Sequence, residues 1–244
     1  MTSPPQNPNE NAGIAGYLPL IVISSAASAA CWWAAGDSLG LFIGGLLIAT
    51  FLVPPIVLQN PTIGTTSLGF ALVLLPITIV WFGAVMKGAD PFSQWAACVL
   101  VLACYAVPIA GFSLLLARAG IPPIFASAIA VILGLLWLAW PIWLCNFLLS
   151  GGHDSLAGHL VTLSPPLTIN GILTGEPAWT ERSLAYHLTN LNQDIPIVLP
   201  SSPWTCAAAH CAIGLILGSL ALVPHRNGKS PIGDVLNSPA ARLK

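Results

Sequence analysis

The sequence predicts an all-α integral membrane protein, with six transmembrane helices and a partly helical extracytoplasmic loop between the fifth and sixth. Two observations carry that expectation. First, 6% of the residues are charged, 56% are hydrophobic and the mean hydropathy is +0.84, whereas typical globular proteins carry about 25% charged residues. Second, the only ionised side chains between Asn11 and Ser150 are Asp37, Lys87, Asp90 and Arg118. The apolar segments between them are long enough to cross a hydrocarbon core, which takes roughly 20 residues per helix. So few charges cannot clothe a soluble domain. With Lys+Arg 7 against Asp+Glu 8, the basic footprint of a nucleic-acid binder is missing as well.

The elements follow in order. Residues 1–12 are polar and Pro-rich and are expected to form a disordered tail. Met1 to Asn9 contain no Lys or Arg, whereas a secretory signal opens with a positively charged region. A six-helix membrane domain then occupies residues 13–223. Its spans are expected at about 14–35, 39–58, 67–86, 94–117, 124–149 and 203–223, with a structured loop over 150–202 and a tail over 224–244. Helices are favoured over barrel strands because the apolar runs are continuous rather than alternating. With both termini inside, Arg118, Arg226, Lys229, Arg242 and Lys244 are cytoplasmic and only Lys87 and Arg182 lie outside. Lys and Arg are retained on the cytoplasmic side, so both termini are placed there, in a bacterial inner membrane.

Small residues and prolines punctuate the spans. Gly40 and Gly44 form one GxxxG and Gly214 and Gly218 another, a spacing that lets helix backbones approach closely. These four are the candidate packing residues. Pro54, Pro55, Pro76, Pro108 and Pro141 each remove a helical hydrogen bond and are expected to kink or break their helices. Cys31, Cys98, Cys104, Cys145, Cys206 and Cys211 lie within or beside spans, without any CxxC. They are expected to act as small hydrophobes rather than a disulfide framework.

The spans contain one notable ionisable residue, His210, with Cys206 four positions before it on the same helix face. That pair is the candidate for haem or metal contact. Two ligands on one helix do not complete a site, so no metal and no cofactor is predicted and His210 is expected to be a hydrogen-bonded packing residue. Haem or pigment contact is the alternative. Trp137, Trp140 and Trp143 recur at i, i+3 and i+6, which puts them near one face of the fifth span, as interface anchors or lipid contacts.

The loop from Ser150 to Ser202 concentrates the remaining chemistry. Ser164 and Pro165 resemble an N-cap and first helical residue, predicting a short helix over Pro165–Leu173 that rests on the outer membrane face or re-enters the bundle slightly. Thr180 caps a second over Glu181–Leu191, whose Leu184, Leu188 and Leu191 share one face. Such an amphipathic helix lies on the outer membrane surface. Trp179 and Tyr186 suit the headgroup level, and with His187 and the three leucines they are the candidate partner contacts. The loop also holds His153, His159, Asp154, Glu176, Glu181 and Asp194. No HExxH, Ser-centred elbow or nucleotide-binding glycine motif occurs, so an enzyme is not expected.

Six spans, cytoplasmic termini and the string Leu163-Ser164-Pro165-Pro166-Leu167-Thr168-Ile169-Asn170-Gly171 give the chain a topology that resembles the membrane subunits of ABC-2-type transporters. There a short extracellular helical element separates the last two spans. The resemblance implies a permease-like membrane subunit of a transport complex, lacking its own ATPase and working with a separate one and with other membrane subunits. In those permeases the loop after the second span meets the ATPase through charged residues, whereas Gln59 to Ser67 is uncharged here. The alternative is a non-catalytic structural or anchoring subunit of a larger redox or pigment-bearing membrane complex. The lipid bilayer is a partner in either case, and nucleic acid in neither.

Overall fold

A computed structural model describes residues 18–35, 38–59, 71, 74–75, 77–83, 92–144, 147–148, 152–174 and 198–223. Every element named among them is an α-helix: α1 Leu18–Ala35, α2 Ser38–Gln59, α3 Phe92–Arg118, α4 Pro123–Leu138, α5 Trp140–Trp143, α6 Asp154–Leu163, α7 Pro165–Thr174 and α8 Trp204–Leu222. Three are long and apolar enough to cross a membrane: Leu39–Gln59 within α2, then α3 and α8. These make the chain an integral membrane protein. The other apolar helical stretches, Ile21–Cys31 and Pro123–Leu138, are shorter. At 1.5 Å per residue, α4 covers about 24 Å of a hydrocarbon core about 30 Å thick. Of the expected third span, residues 71, 74–75 and 77–83 are described, and all are helical.

The segment expected as the fifth span is not a single continuous helix. Pro141 has no N–H for the carbonyl of Trp137, and its ring crowds that carbonyl. The chain therefore breaks at Ala139, which adopts φ −93°, ψ 5° and bonds back to the Leu135 carbonyl at 2.9 Å. The break rotates the tryptophans away from one shared face: Trp140 is 1% exposed, Trp143 is 54% exposed, and Trp137 is half-buried. Pro54, Pro55 and Pro108, by contrast, sit inside unbroken helices. Within hydrocarbon no water replaces a lost backbone bond, so keeping the rest of the ladder is favoured over opening it.

The α3–α4 turn is dictated locally. Gly120 takes φ +85°, its N–H reaches the Ala117 carbonyl at 3.0 Å, and that of Ile121 reaches Leu116 at 3.2 Å. This pair of bonds is a Schellman ending, which needs a left-handed residue and so favours glycine. Pro122 and Pro123 then open α4 with φ already set for a helix.

α2 is the innermost long helix: 67% of its apolar window is buried, against 44% for α3 and 22% for α8. Leu41, Phe42 and Leu46 of α2 form the main core with Val101 and Leu102 of α3, with Ile77 and Trp81, and with Ile169 and Ile172 of α7. The indole of Trp81 lies where a Cβ on Gly45 would stand, and its ring centroid is 4.2 Å from that of Phe42. α7 covers the helix expected over Pro165–Leu173, and of the two placements expected for it, on the outer membrane face or re-entering the bundle, it takes the second. Pro165 to Ile172 are all buried, because its residues are apolar around most of the helix and such a helix belongs inside. The Ser164-Pro165 step sets its angle to α6, since a residue before proline is driven to extended backbone and Ser164 has φ −77°, ψ 118°. α6 itself was not expected from the sequence. It joins Trp140, Leu148 and Leu167 in a second core through Ala157 and Val161. The second loop helix, Glu181–Leu191, lies outside the described residues.

α8 packs chiefly on α3, and the two run parallel. Cys104 meets Cys211, Gly111 meets Gly214, and Arg118 Nη1 donates to the Leu220 carbonyl at the far ends. A cation among the last carbonyls of a helix is favoured by the dipole as well as by hydrogen bonding.

Candidate functional site

Side-chain hydrogen bonds between α2, α3, α4 and α8 cluster where these helices meet. His210, on the second turn of α8, is 5% exposed. The indole Nε1–H of Trp137 donates to its Nε2 at 3.2 Å, and its Nδ1 lies 2.8 Å from the Cys206 carbonyl oxygen. An indole is only a donor and a carbonyl only an acceptor. The imidazole is thereby assigned as neutral, with its proton on Nδ1 and its Nε2 lone pair occupied by Trp137. The Cys206 thiol, 3.6 Å from Nδ1, donates to the Leu163 carbonyl at 3.4 Å, which ties the start of α8 to the end of α6.

Tyr105 occupies the neighbouring position on α3, with its ring centroid 5.9 Å from that of His210. Its hydroxyl lies 2.8 Å from Thr50 Oγ1, whose own proton goes to the Leu46 carbonyl at 2.7 Å. Each hydroxyl has one proton, so Tyr105 donates to Thr50, and its 3.4 Å approach to the Gly134 carbonyl is a long secondary contact. Gly134 allows α4 to come this close: a Cβ there would lie 2.8 Å from Thr50 Cγ2. In membrane proteins such side-chain bonds average about 0.6 kcal/mol, so they orient these rings more than they hold the bundle together.

Beside this network, a cavity of about 330 Å³ opens between α3, α4 and α8. Tyr105, Phe112, Leu133, His210, Ile213 and Leu217 are among its walls. The polar atoms of Tyr105, Trp137 and His210 are directed into the bonds just described, so the wall is almost wholly hydrocarbon and ring carbon. An arrangement of this kind selects by apolar shape rather than by hydrogen bonding.

The residues singled out by sequence are distributed unevenly around this site. Cys206 and His210 are adjacent and internal to it, and among the described residues no third His, Cys, Asp or Glu joins them as a metal-holding group. A metal or haem at Nε2 would also have to displace Trp137. Gly214 packs against α3, where a Cβ would come within 2.6 Å of Val107 Cγ1 and 2.7 Å of the Pro108 nitrogen. Proline carries no hydrogen on that nitrogen, which helps the backbones meet. Gly218 is different: its amide nitrogen faces Gly111, but its own Cβ direction is open. Gly44 faces α1, with Cys31 Sγ 2.6 Å from a built Cβ, and Gly40 is half-buried. His153, the N-cap residue of α6, and His159, on that helix, are exposed. Trp179, Leu184, Tyr186, His187, Leu188 and Leu191 lie outside the described residues.

Sequence inspection passed over Thr50, Tyr105, Gly111 and Gly134. A tyrosine in mid-span was the available signal, since a buried phenol requires a partner. Cys104 and Cys211 are both free thiols, and their sulfurs lie 3.1 Å apart across α3 and α8. No protein-family model, no curated protein and no solved structure matches the chain.

Proposed function

We propose that the protein is a non-catalytic integral membrane subunit of a larger assembly, crossing a bacterial inner membrane six times with both termini cytoplasmic. The observation that carries this reading is the way hydroxyls in the described spans are used. Ser24 and Ser25 donate to the Ile21 carbonyl, Ser28 to Ser24, Thr50 to Leu46 and Ser113 to Ile109, at 2.7–3.1 Å. A conducting path requires polar groups with spare donors or acceptors along a shared route. Here each of these hydroxyl protons goes to a carbonyl of its own helix, and Thr50 accepts in turn from Tyr105, which suits a packing role.

A permease-like subunit working with a separate ATPase is the second reading. It is favoured by α6 and α7, a helical pair standing before the last long helix, with α7 packed on α2 and α3. Purification of the tagged protein in mild detergent separates the two. Stoichiometric recovery of a nucleotide-binding protein supports the permease, while recovery of cytochrome or pigment-bearing subunits supports the anchoring role. A chain that purifies alone as a monomer from its native membrane would overturn both.

A further inference from the structure

The cavity between α3, α4 and α8 is a lipid site: we propose that it holds one acyl chain of a phospholipid from the leaflet on the Arg118 side. Depth is the first argument. At 1.5 Å rise per residue, Phe112 and Tyr105 lie about 9 and about 20 Å along α3 from Arg118. With Arg118 at the interface of a hydrocarbon core about 30 Å thick, the cavity starts within the leaflet on that side and ends about 5 Å beyond the midplane. What surrounds it there is hydrocarbon, not water.

Access is the second argument. Leu133 and Ile213, on facing helices at the mouth, are 47% and 50% exposed, so the opening faces sideways into the bilayer. The chemistry of the wall is the third. Trp137 is bonded to His210, His210 also to the Cys206 carbonyl of its own helix, and Tyr105 to Thr50 of α2, and the polar groups of a polar occupant would go unpaired there at a cost of about 1–3 kcal/mol each. A hydrocarbon chain leaves none. The volume of about 330 Å³ is at the small end of ligand pockets, about 300–1,000 Å³, which suits part of one chain rather than a whole lipid. A cation, Arg118, stands at the level where that lipid's phosphate would lie.

The test uses the full chain in vesicles of phosphatidylethanolamine and phosphatidylglycerol, doped with a phospholipid carrying a photoactivatable diazirine near the middle of one chain. Ile23 and Phe51, 53% and 52% exposed and not among the cavity walls, report ordinary lipid contact. Labelling at Leu133, Ile213 and Leu217 is expected to exceed theirs roughly fivefold, equivalent to about 1 kcal/mol over bulk lipid. Ala209→Phe, which projects a ring into the cavity, is expected to remove the excess, and Ala208→Phe, on the exposed side of the same turn, to keep it. Even labelling across all these positions in the unaltered protein overturns the proposal, and that result needs no variant to fold. Recovery of a tightly bound isoprenoid in place of phospholipid, seen by native mass spectrometry, overturns it too. The proposal rests on these helices being membrane-embedded. If that were wrong, Ile23 and Phe51 would also go unlabelled, which distinguishes the two failures.

Discussion

Two residues show how differently equal-looking positions behave. Gly214 and Gly218 belong to one GxxxG, yet a Cβ on Gly214 would strike Val107 and Pro108, while one on Gly218 would meet open space. Gly214→Ala should therefore lower thermal stability in detergent by the usual cost of overpacking, about 1–3 kcal/mol. Gly218→Ala should stay close to the unaltered protein. Equal losses for both would mean that α8 is turned differently on α3. Trp137 separates two contributions in the same manner. Trp137→Phe removes the N–H donated to His210 but keeps most of the ring, for an expected loss of about 0.6 kcal/mol. Trp137→Ala also deletes the cavity wall. A fully buried Trp→Ala change costs about 3–5 kcal/mol, and this half-buried ring should cost less than that but clearly more than the phenylalanine variant. Melting curves showing both variants equally damaged would give the hydrogen bond, not the ring, the larger share.

At the scale of elements, helix starts were more legible than helix ends. Ser164-Pro165 marked the entry to α7, and Pro203 stands likewise at the N-cap of α8, because proline presets φ and forgoes a donor that the first turn does not use. Whether an internal proline ends a helix depended on its surroundings: Pro108 lies in the α3–α8 contact and α3 continues, whereas α4 stops before Pro141. The parallel pairing of α3 and α8 leads to a chemical test. Mild oxidation should join Cys104 to Cys211, forming one S–S bond as the oxidant accepts two electrons and two protons leave the thiols. Cleavage at Arg182 then yields two fragments that migrate together without reductant and separate with it. Cys104→Ser should abolish the link. Fragments that separate after oxidation of the unaltered chain would contradict the register of the two helices.

At the scale of the molecule, the bond between Arg118 and the Leu220 carbonyl brings the ends of α3 and α8 together. Single cysteines at Ala119 and Val223, both exposed, should therefore react with a membrane-impermeant maleimide from the same side of sealed vesicles. A cysteine at exposed His153 should react from the opposite side. The background is a chain stripped of its own cysteines. Labelling of all three from one side would remove the crossings made by α4 and by α8 and, with them, the six-span topology.

The membrane as solvent, the helical class and the positions of the long apolar helices were determined by the sequence alone. Each follows from summed transfer free energies over about 20 consecutive residues, a quantity local to the segment. Burial of α7, the occupied lone pair of His210, the sulfur pair and the cavity were decided only by tertiary structure. Thr50 and Tyr105 are 55 residues apart, Trp137 and His210 are 73, and Cys104 and Cys211 are 107. Their meeting depends on which faces of separate helices fit, and in a bilayer that fit rests on close packing rather than on hydrophobicity, because every apolar face is equally at home against lipid.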